Sequence, residues 1–235
     1  MDAKFSRFEL LIGNDKMETL KNKKVIIFGV GGVGGYVAEA LIRSGINNIT
    51  IVDNDVVDIT NLNRQIIATL DTVNKDKVEV MKKRMLSIND EANITALKKY
   101  YSPDNSDEFK LDEYDYIVDC IDTITSKIDL ICKADKLNIK IISAMGAGNK
   151  INPAMLEVSD IYKTEMDPLA KVIRKELKAR KVKHLKVVYS KEKPLETTIK
   201  LSREGSRKDI PGSTAFVPAT MGLIMASEVV KDLIG

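Results

Sequence analysis

The feature that most constrains the fold is a glycine-rich segment, Gly29-Val30-Gly31-Gly32-Val33-Gly34, between a predicted strand and a predicted helix. The apolar run 25–28 before it is continuous and rich in β-branched residues, as in a buried parallel strand. The helix is predicted over 33–43, and a second strand over 49–52. These elements make a βαβ unit, in which glycines let the backbone approach a phosphate at the helix N-terminus.

The alternation of strands and helices continues along most of the chain. It predicts an α/β fold with a doubly wound, mostly parallel, Rossmann-like sheet. Helices are predicted over 5–21, 33–43, 75–88, 123–137, 168–181 and 216–234, and strands over 25–28, 49–52, 94–97, 114–121, 139–144, 186–189 and 197–201. We expect residues 1–150 to form a nucleotide-binding domain and residues 151–235 a basic α+β extension packed with it as one unit.

The composition is that of an ordinary globular chain, with 44% hydrophobic and 30% charged residues. No apolar run approaches the roughly 20 residues that span a bilayer. The N-terminus lacks the apolar core of a signal peptide. We therefore expect a cytoplasmic protein with no membrane span.

The two cysteines, Cys120 and Cys132, are too few for a zinc site made of paired C-x-x-C motifs. They fall in a predicted strand and a predicted helix, so we expect two small buried hydrophobic residues and no zinc. The single histidine, His184, is expected at the surface.

The distribution of charge is uneven. The segment 171–208, called the basic block below, holds 14 Lys or Arg and 4 Asp or Glu, whereas the whole chain has a net charge of only +3. A basic block on an acidic body favours a polyanionic partner. The alternative is a solvated basic surface without a partner.

Asp53 ends the second strand about 20 residues after the glycines, where a carboxylate usually holds ribose hydroxyls. This pattern alone also describes an NAD-dependent dehydrogenase. Arg64 and Lys77 favour ATP, because a triphosphate needs more positive charge. Asp122, just past the strand 114–121, is placed as a magnesium ligand, although an Asp there is often a helix N-cap.

With these residues, the region 1–150 resembles the adenylating domain of ubiquitin-activating enzymes and their ThiF/MoeB/HesA-type bacterial relatives. The motif residues are the glycine segment, Arg7, Asp53, Asn61-Leu62-Asn63-Arg64-Gln65, Lys77 and Asp122. The resemblance implies that the chain binds ATP and Mg²⁺ and that a carboxylate attacks the α-phosphate.

The resemblance also implies a role for each matching residue. The nucleotide-binding set is Gly29, Gly31, Gly32, Gly34, Asp53, Asp55, Asn61, Arg64, Gln65 and Lys77, and the catalytic set is Arg7, Arg64, Lys77 and Asp122. Within these sets Asp53 would hold the ribose and Asp122 the magnesium ion. Arg7 would reach the site from the other subunit of a homodimer.

Further stretches narrow the resemblance to the tRNA threonylcarbamoyladenosine dehydratases. They are 5–11, 64–68, 146–149 with 152–153, 164–169, 187–190 and 212–219. The resemblance implies ATP-dependent dehydration of threonylcarbamoyladenosine next to the anticodon of tRNA, through a carboxyl adenylate. The tRNA would bind to the basic block, through Lys171, Arg174, Lys175, Lys178, Arg180, Lys181 and Lys183.

Three alternatives stay open at this point. The first is adenylation of the C-terminal glycine of a ubiquitin-like sulfur carrier, and a sulfur-relay protein also stays open as a partner of the dehydratase. The second is an NAD-dependent oxidoreductase, which would leave Arg64, Lys77 and Asp122 without a role. The third is a non-catalytic nucleotide-sensing or sulfur-relay partner, which would bind ATP without turnover.

Overall fold

The computed structural model describes residues 3–199 and 210–235, and the strands in these ranges form one seven-stranded sheet. The sheet order is β3-β2-β1-β4-β5-β7-β6, and every neighbouring pair is parallel except the β6–β7 pair at one edge. The strands are β1 Lys24–Phe28, β2 Asn48–Val52, β3 Asn93–Leu97, β4 Tyr116–Asp119, β5 Lys140–Ala144, β6 Leu156–Asp160 and β7 Lys186–Ser190.

Helices cover both faces of this sheet. In the described part of the chain they are α1 Ser6–Ile12, α2 Asn14–Asn22, α3 Gly34–Arg43, α4 Lys77–Ile88, α5 Ile124–Leu137, α6 Pro168–Ala179 and α7 Phe216–Ile234. Side chains alternate between the faces of a strand. Val25 and Ile27 of β1 therefore pack in the core under α3, α4 and α7, while Ile26 and Phe28 pack on the opposite face under α5.

The predicted α/β class with a mostly parallel sheet is confirmed, and the closing helix over 216–234 is confirmed at both ends. The sheet order reverses direction between β1 and β4, and open α/β sheets bind ligands in the crevice at such a point. The fold therefore places the glycine segment after β1 and the loop after β4 on the same crevice.

The N-terminal prediction of one helix over 5–21 is wrong. The chain forms two helices that end and begin around Gly13, whose φ is +83°. A left-handed residue interrupts the α-helical backbone, and glycine adopts this conformation without a Cβ clash.

Two predictions for the C-terminal half also need correction. The strand predicted over 197–201 is absent from 197–199, and residues 200–201 lie outside the described ranges. The strand β6 was not predicted, and it extends the sheet beyond β7 in the antiparallel sense. No helix in the described ranges is long and apolar enough to cross a membrane.

Candidate active site

The glycine segment forms a tight turn at the carboxyl edge of the sheet. Gly29 has φ +90°, and a Cβ there would lie 2.7 Å from the carbonyl oxygen of Cys120. A Cβ on Gly34 would lie 1.8 Å from the carbonyl oxygen of Gly29. Glycine is therefore required at both positions, so that α3 begins directly against β1 and the loop after β4. The N-terminus of α3 therefore lies at the crevice, and a helix N-terminus favours a bound anion.

Asp53 lies beside this turn, at the end of β2. Its carboxylate accepts hydrogen bonds from the backbone N–H groups of Val30 and Asp55, at 2.7 and 2.9 Å. Burial raises the pKa of the Asp53 carboxyl, although the charge of Lys77 and these two N–H groups oppose the shift. The hydrogen bonds fix the carboxylate next to the glycine turn, where the sequence predicts a ribose.

Lys77 is the first residue of α4, and its side chain is only 7% exposed. Its Nζ lies 2.8 Å from Oδ2 of Asp55, whose side chain is 60% exposed. The structure therefore brings together Asp53, Asp55 and Lys77, as predicted for the nucleotide site. A phosphate that binds Lys77 must either share its ammonium group with Asp55 or displace the Asp55 carboxylate from it.

The segment 61–65 lines the opposite side of the glycine turn. A Cβ on Gly32 would lie 3.5 Å from Cγ of Arg64, and one on Gly31 would have only Nε2 of Gln65 within 4 Å, at 3.9 Å. The Arg64 guanidinium donates to the carbonyl oxygen of Thr60 and to Oδ1 of Asn63. The backbone above Gly31 is thus open to a ligand, with Arg64 and Gln65 at its rim.

Two side-chain amides of this segment, those of Asn61 and Gln65, differ in their hydrogen bonding. The buried Asn61 accepts a hydrogen bond from the N–H of Asp58, at 3.1 Å, and so shapes the turn itself. Gln65 is 7% exposed, and its Oε1 has no hydrogen-bond partner among the described residues. An unsatisfied buried acceptor costs about 1–3 kcal/mol. The Nε2 of the same amide is the atom nearest to a Cβ placed on Gly31, so an amide donor lies beside the open backbone, and the residues present fit a nucleotide.

Asp122 lies in the loop between β4 and α5, and its side chain is exposed. The N-cap of α5 is Thr123 rather than Asp122, so the helix-cap interpretation is wrong. Within the described ranges, no group of three or more His, Cys, Asp or Glu side chains is arranged to hold a metal ion. Magnesium is nevertheless commonly held by one or two carboxylates together with phosphate oxygens and water. An exposed Asp122, in the loop whose Cys120 contacts the glycine turn, fits that pattern.

A buried polar cluster behind this loop was not predicted. It consists of Asp119, Lys127 and Ser143, and all three residues are fully buried. The Nζ of Lys127 lies 2.7 Å from Oδ2 of Asp119. The sequence did carry a signal: Lys127 shares the apolar stripe of α5 with Leu130, Ile131 and Ala134, and a lysine on such a stripe requires a buried partner.

Arg7 is not part of this assembly within one copy of the chain. It is exposed and lies two residues after Phe5, which packs near Gly45 between α3 and β2. Nearby, Lys4 donates to Asn89 and Asp90, just after α4. Because α3 and α4 begin at the carboxyl edge and end at the amino edge, Arg7 lies at the amino edge of the sheet.

Both cysteines are half-buried and pack against the apolar core, so they are less enclosed than the predicted buried positions. Cys120 directly follows β4 and does not lie within it. Burial raises the pKa of both thiols, and the nearby charge of Asp119 adds to the shift at Cys120. A raised pKa disfavours the thiolate, so neither residue has the environment of a nucleophile.

The basic block presents most of its predicted tRNA contacts to solvent. Lys171, Lys175 and Lys178 of α6 are exposed, and so are Arg180, Lys181 and Lys183 after it. Arg174 differs, because its guanidinium donates to the carbonyl oxygen and the hydroxyl of Thr164, at 2.6 and 2.7 Å. His184 is exposed, as predicted, and its Nδ1 lies 3.7 Å from Oδ2 of Asp160. Residues 200–208 of the block lie outside the described ranges.

The comparison of the sequence with protein families gives a match over nearly the whole chain. A profile described as the ThiF family matches residues 5–235. The tRNA threonylcarbamoyladenosine dehydratase of Bacillus subtilis (strain 168) is 44% identical over 244 aligned positions, which cover 98% of this chain and 94% of that protein.

Solved structures give the same result. The tRNA N6-threonylcarbamoyladenosine dehydratase of E. coli, TcdA, in complex with ATP has a TM-score of 0.91 and 33% identity. That match covers 100% of this chain and 96% of the other. The complex of the same E. coli enzyme with AMP has a TM-score of 0.90, with the same identity and coverage.

Proposed function

The chain belongs to the ThiF family, and from this premise we propose that it is an ATP-dependent tRNA threonylcarbamoyladenosine dehydratase. The observation that carries the proposal is the assembly of the glycine turn, Asp53 and Lys77 at the switch point of the sheet, in a chain that matches such dehydratases over almost its full length. The reaction would cyclise the threonylcarbamoyl group next to the anticodon of tRNA.

The chemistry requires activation of a poor electrophile. The substrate carboxylate would attack the α-phosphorus of ATP and release pyrophosphate, forming an acyl adenylate. A neighbouring group of the same nucleoside would then attack the acyl carbon and release AMP. The nucleoside loses one water in total, and the oxygen of that water leaves on AMP. No enzyme nucleophile is needed, which agrees with the raised pKa of both cysteine thiols.

Each residue of the site would then have a defined task. Asp53 would accept hydrogen bonds from the ribose, and Arg64 and Lys77 would neutralise phosphates. Lys77 would exchange Asp55 for a phosphate, since both need the same ammonium group. The remaining members of the nucleotide-binding set would be the turn glycines Gly29, Gly31, Gly32 and Gly34, with Asn61 and Gln65. Fixed cations of this kind stabilise the charge that develops during transfer.

Magnesium would be held by Asp122 together with phosphate oxygens. When bound, the ion would withdraw charge from the phosphates during adenylation. The exposure of Asp122 at the crevice and its lack of a helix-capping role support this assignment.

Arg7 would act on the site of a second copy of the chain. The helix α3 has 10 residues, or about 15 Å at 1.5 Å per residue, and this length separates Arg7 from its own glycine turn. On the same face of α1, Leu10 and Leu11 are 77% and 81% exposed. An exposed apolar surface beside a catalytic arginine is what a homodimer interface would bury.

The exposed lysines of α6 would bind tRNA phosphates. Replacing Lys171, Lys175 and Lys178 by Glu should weaken tRNA binding and flatten its salt dependence by about one unit of log–log slope per lost contact. A control with the same charge change replaces the exposed Lys16, Lys24 and Lys83 by Glu. Equal effects of the two variants would assign tRNA binding to overall charge rather than to α6.

The decisive experiment is mass spectrometry of nucleosides from tRNA that carries uncyclised threonylcarbamoyladenosine, after incubation with the protein, ATP and Mg²⁺. The proposal predicts a loss of one water that requires ATP and produces AMP. Turnover with tRNA alone would also show that a sulfur-relay protein is not obligatory. No change in tRNA, with pyrophosphate release that depends on a ubiquitin-like carrier, would instead favour adenylation of such a carrier.

A further inference from the structure

The buried cluster Asp119, Lys127 and Ser143 lies directly behind the loop that carries Asp122. Besides the ion pair between Lys127 and Asp119, Lys127 donates to Oγ of Ser143 at 3.1 Å, and Ser143 donates to Oδ2 of Asp119 at 2.5 Å. The three buried side chains thus satisfy one another by hydrogen bonds.

Stability alone is a weak explanation for such a cluster. The desolvation of two charges offsets much of their attraction, so well-packed apolar residues would often be equally stabilising. What a closed set of hydrogen bonds does provide is a fixed geometry, because every donor and acceptor has one arrangement that satisfies it.

The geometry that this cluster fixes is that of the loop after β4. Oδ1 of Asp119 accepts a hydrogen bond from the backbone N–H of Ile121, at 3.0 Å. Ser143 is the register partner of Asp119 on β5, and Lys127 is the fourth residue of α5. The cluster therefore ties the loop to the neighbouring strand and to the helix that follows.

The other side of the same loop contacts the glycine turn. The N–H of Cys120 donates to the carbonyl oxygen of Phe28, and the carbonyl oxygen of Cys120 lies where a side chain on Gly29 would be. In contrast, among residues 3–199 and 210–235 the hydrogen bonding of the Asp122 carboxylate is limited to a 3.5 Å contact with the Thr123 hydroxyl, and so its position depends on the backbone that carries it.

We infer that Lys127, through Asp119 and Ser143, is a positioning residue that holds the Asp122 loop in place for a divalent cation bound with the nucleotide. The inference rests on the proposed function, because it takes Asp122 as the magnesium ligand. It assigns no contact with the ion to Lys127 itself. Residues that orient metal ligands in this way typically change metal affinity about 10–100-fold when they are replaced.

The test compares two lysines in matching environments. Lys127→Met removes the cation from a fully buried ion pair, and so does Lys150→Met, since Lys150 and its partner Asp167 are 1% and 0% exposed. Lys150 donates to the carbonyl oxygen of Gly146 and to Asp167, and so it ties the loop after β5 to the start of α6 rather than to the Asp122 loop. The readout is the ratio of the ATP dissociation constants measured by calorimetry in EDTA and in Mg²⁺.

We expect Lys127→Met to reduce this ratio about tenfold or more, with ATP binding in EDTA nearly unchanged. Lys150→Met should keep the wild-type ratio. Because Lys127→Met leaves an unpaired buried carboxylate, the double variant Asp119→Asn/Lys127→Met removes both charges as a second route to a folded protein. Ser143→Ala keeps the ion pair and should lower this ratio of dissociation constants less than Lys127→Met does.

Several outcomes would overturn the inference. Folded Lys127 variants with the wild-type ratio would exclude the positioning role and leave the proposed function intact. An equal loss in Lys150→Met would mean that removing any buried ion pair has this effect. Wild-type protein that does not bind ATP at all would overturn the proposed function, and the inference with it.

Discussion

Mixing two inactive variants tests whether each nucleotide site needs two copies of the chain. Arg7→Ala removes the arginine that lies at the amino edge, and Lys77→Ala removes the lysine that lies in the crevice at the carboxyl edge. If Arg7 acts on the partner's site, neither variant alone contains a complete site. A mixed dimer, however, contains one site with both residues, because the Lys77→Ala chain supplies Arg7 to the intact crevice of the other chain.

The magnitude follows from counting. Each homodimer should be reduced about 10²–10³-fold in turnover, as when one charge-stabilising donor is lost. After random exchange of equal amounts, about half of the dimers are mixed, and each has one complete site of two, so the mixture should recover about a quarter of the wild-type rate. If Arg7 acted within its own chain, no site in the mixture would be complete.

The assay is ATP-dependent AMP release with tRNA that carries the uncyclised nucleoside. A sample measured immediately after mixing is the control for exchange, and a size tag on one variant reports the fraction of mixed dimers by native mass spectrometry. Full exchange without recovered activity would refute the reasoning from the position of Arg7. Full activity of the Arg7→Ala homodimer would remove Arg7 from the mechanism altogether.

Three further predictions follow from packing and charge. Lys77→Met should lower kcat/KM for ATP about 10²–10³-fold. Its unfolding free energy should change by at most about 1 kcal/mol, because the partner Asp55 is largely exposed. A loss of activity explained by a matching loss of folded protein would contradict the assigned role. Gly222→Ala should cost about 1–3 kcal/mol in urea unfolding, since its Cβ would lie 2.5 Å from the carbonyl oxygen of Val33. Although burial opposes it, hydrogen bonds from Lys186 and Tyr116 lower the pKa of Asp232. The stability that Lys186→Met removes should therefore be present at pH 7 and decrease as the pH falls below about 4.

The elements around the crevice could be predicted because local signals agree there. The continuous apolar strands, the glycines and the helix periodicity all point to the same boundaries, and the structure moves them by at most two residues. The closing helix was equally clear, since Pro218 fits the first turn of a helix. Agreement between local preference and tertiary packing makes such segments predictable.

The missed elements depend on contacts that are distant in sequence. The β6 strand, Leu156–Asp160, is half-buried along its length and lacks a strong apolar pattern, so its pairing with β7 decides its structure. The break at Gly13 was visible as a glycine, but helix periodicity continues on both sides of it. A glycine inside a helical pattern predicts a break only when the backbone needs a positive φ there.

The positions of the candidate site residues in the fold were easier to predict than their side-chain partners. The sequence places Lys77 and Asp55 in one site, yet their spacing does not indicate that they pair with each other. Arg174 has the spacing of a solvent-facing arginine, but the turn at Thr164 provides acceptors that hold it against the protein. Side-chain partners of this kind depend on how separate elements dock, which the periodicity of one element does not contain.

The opposite positions of Arg7 and the glycine turn also constrain how two copies assemble. If Arg7 acts on the partner's site in a two-fold dimer, the same surfaces meet twice, and the amino-edge segment of each copy must face the carboxyl-edge crevice of the other. Both sites would then be completed in the same association step, and a monomer would have no complete site. It follows that dilution below the dimer dissociation constant should abolish adenylation while ATP binding persists, because Asp53 and Lys77 stay with their own chain.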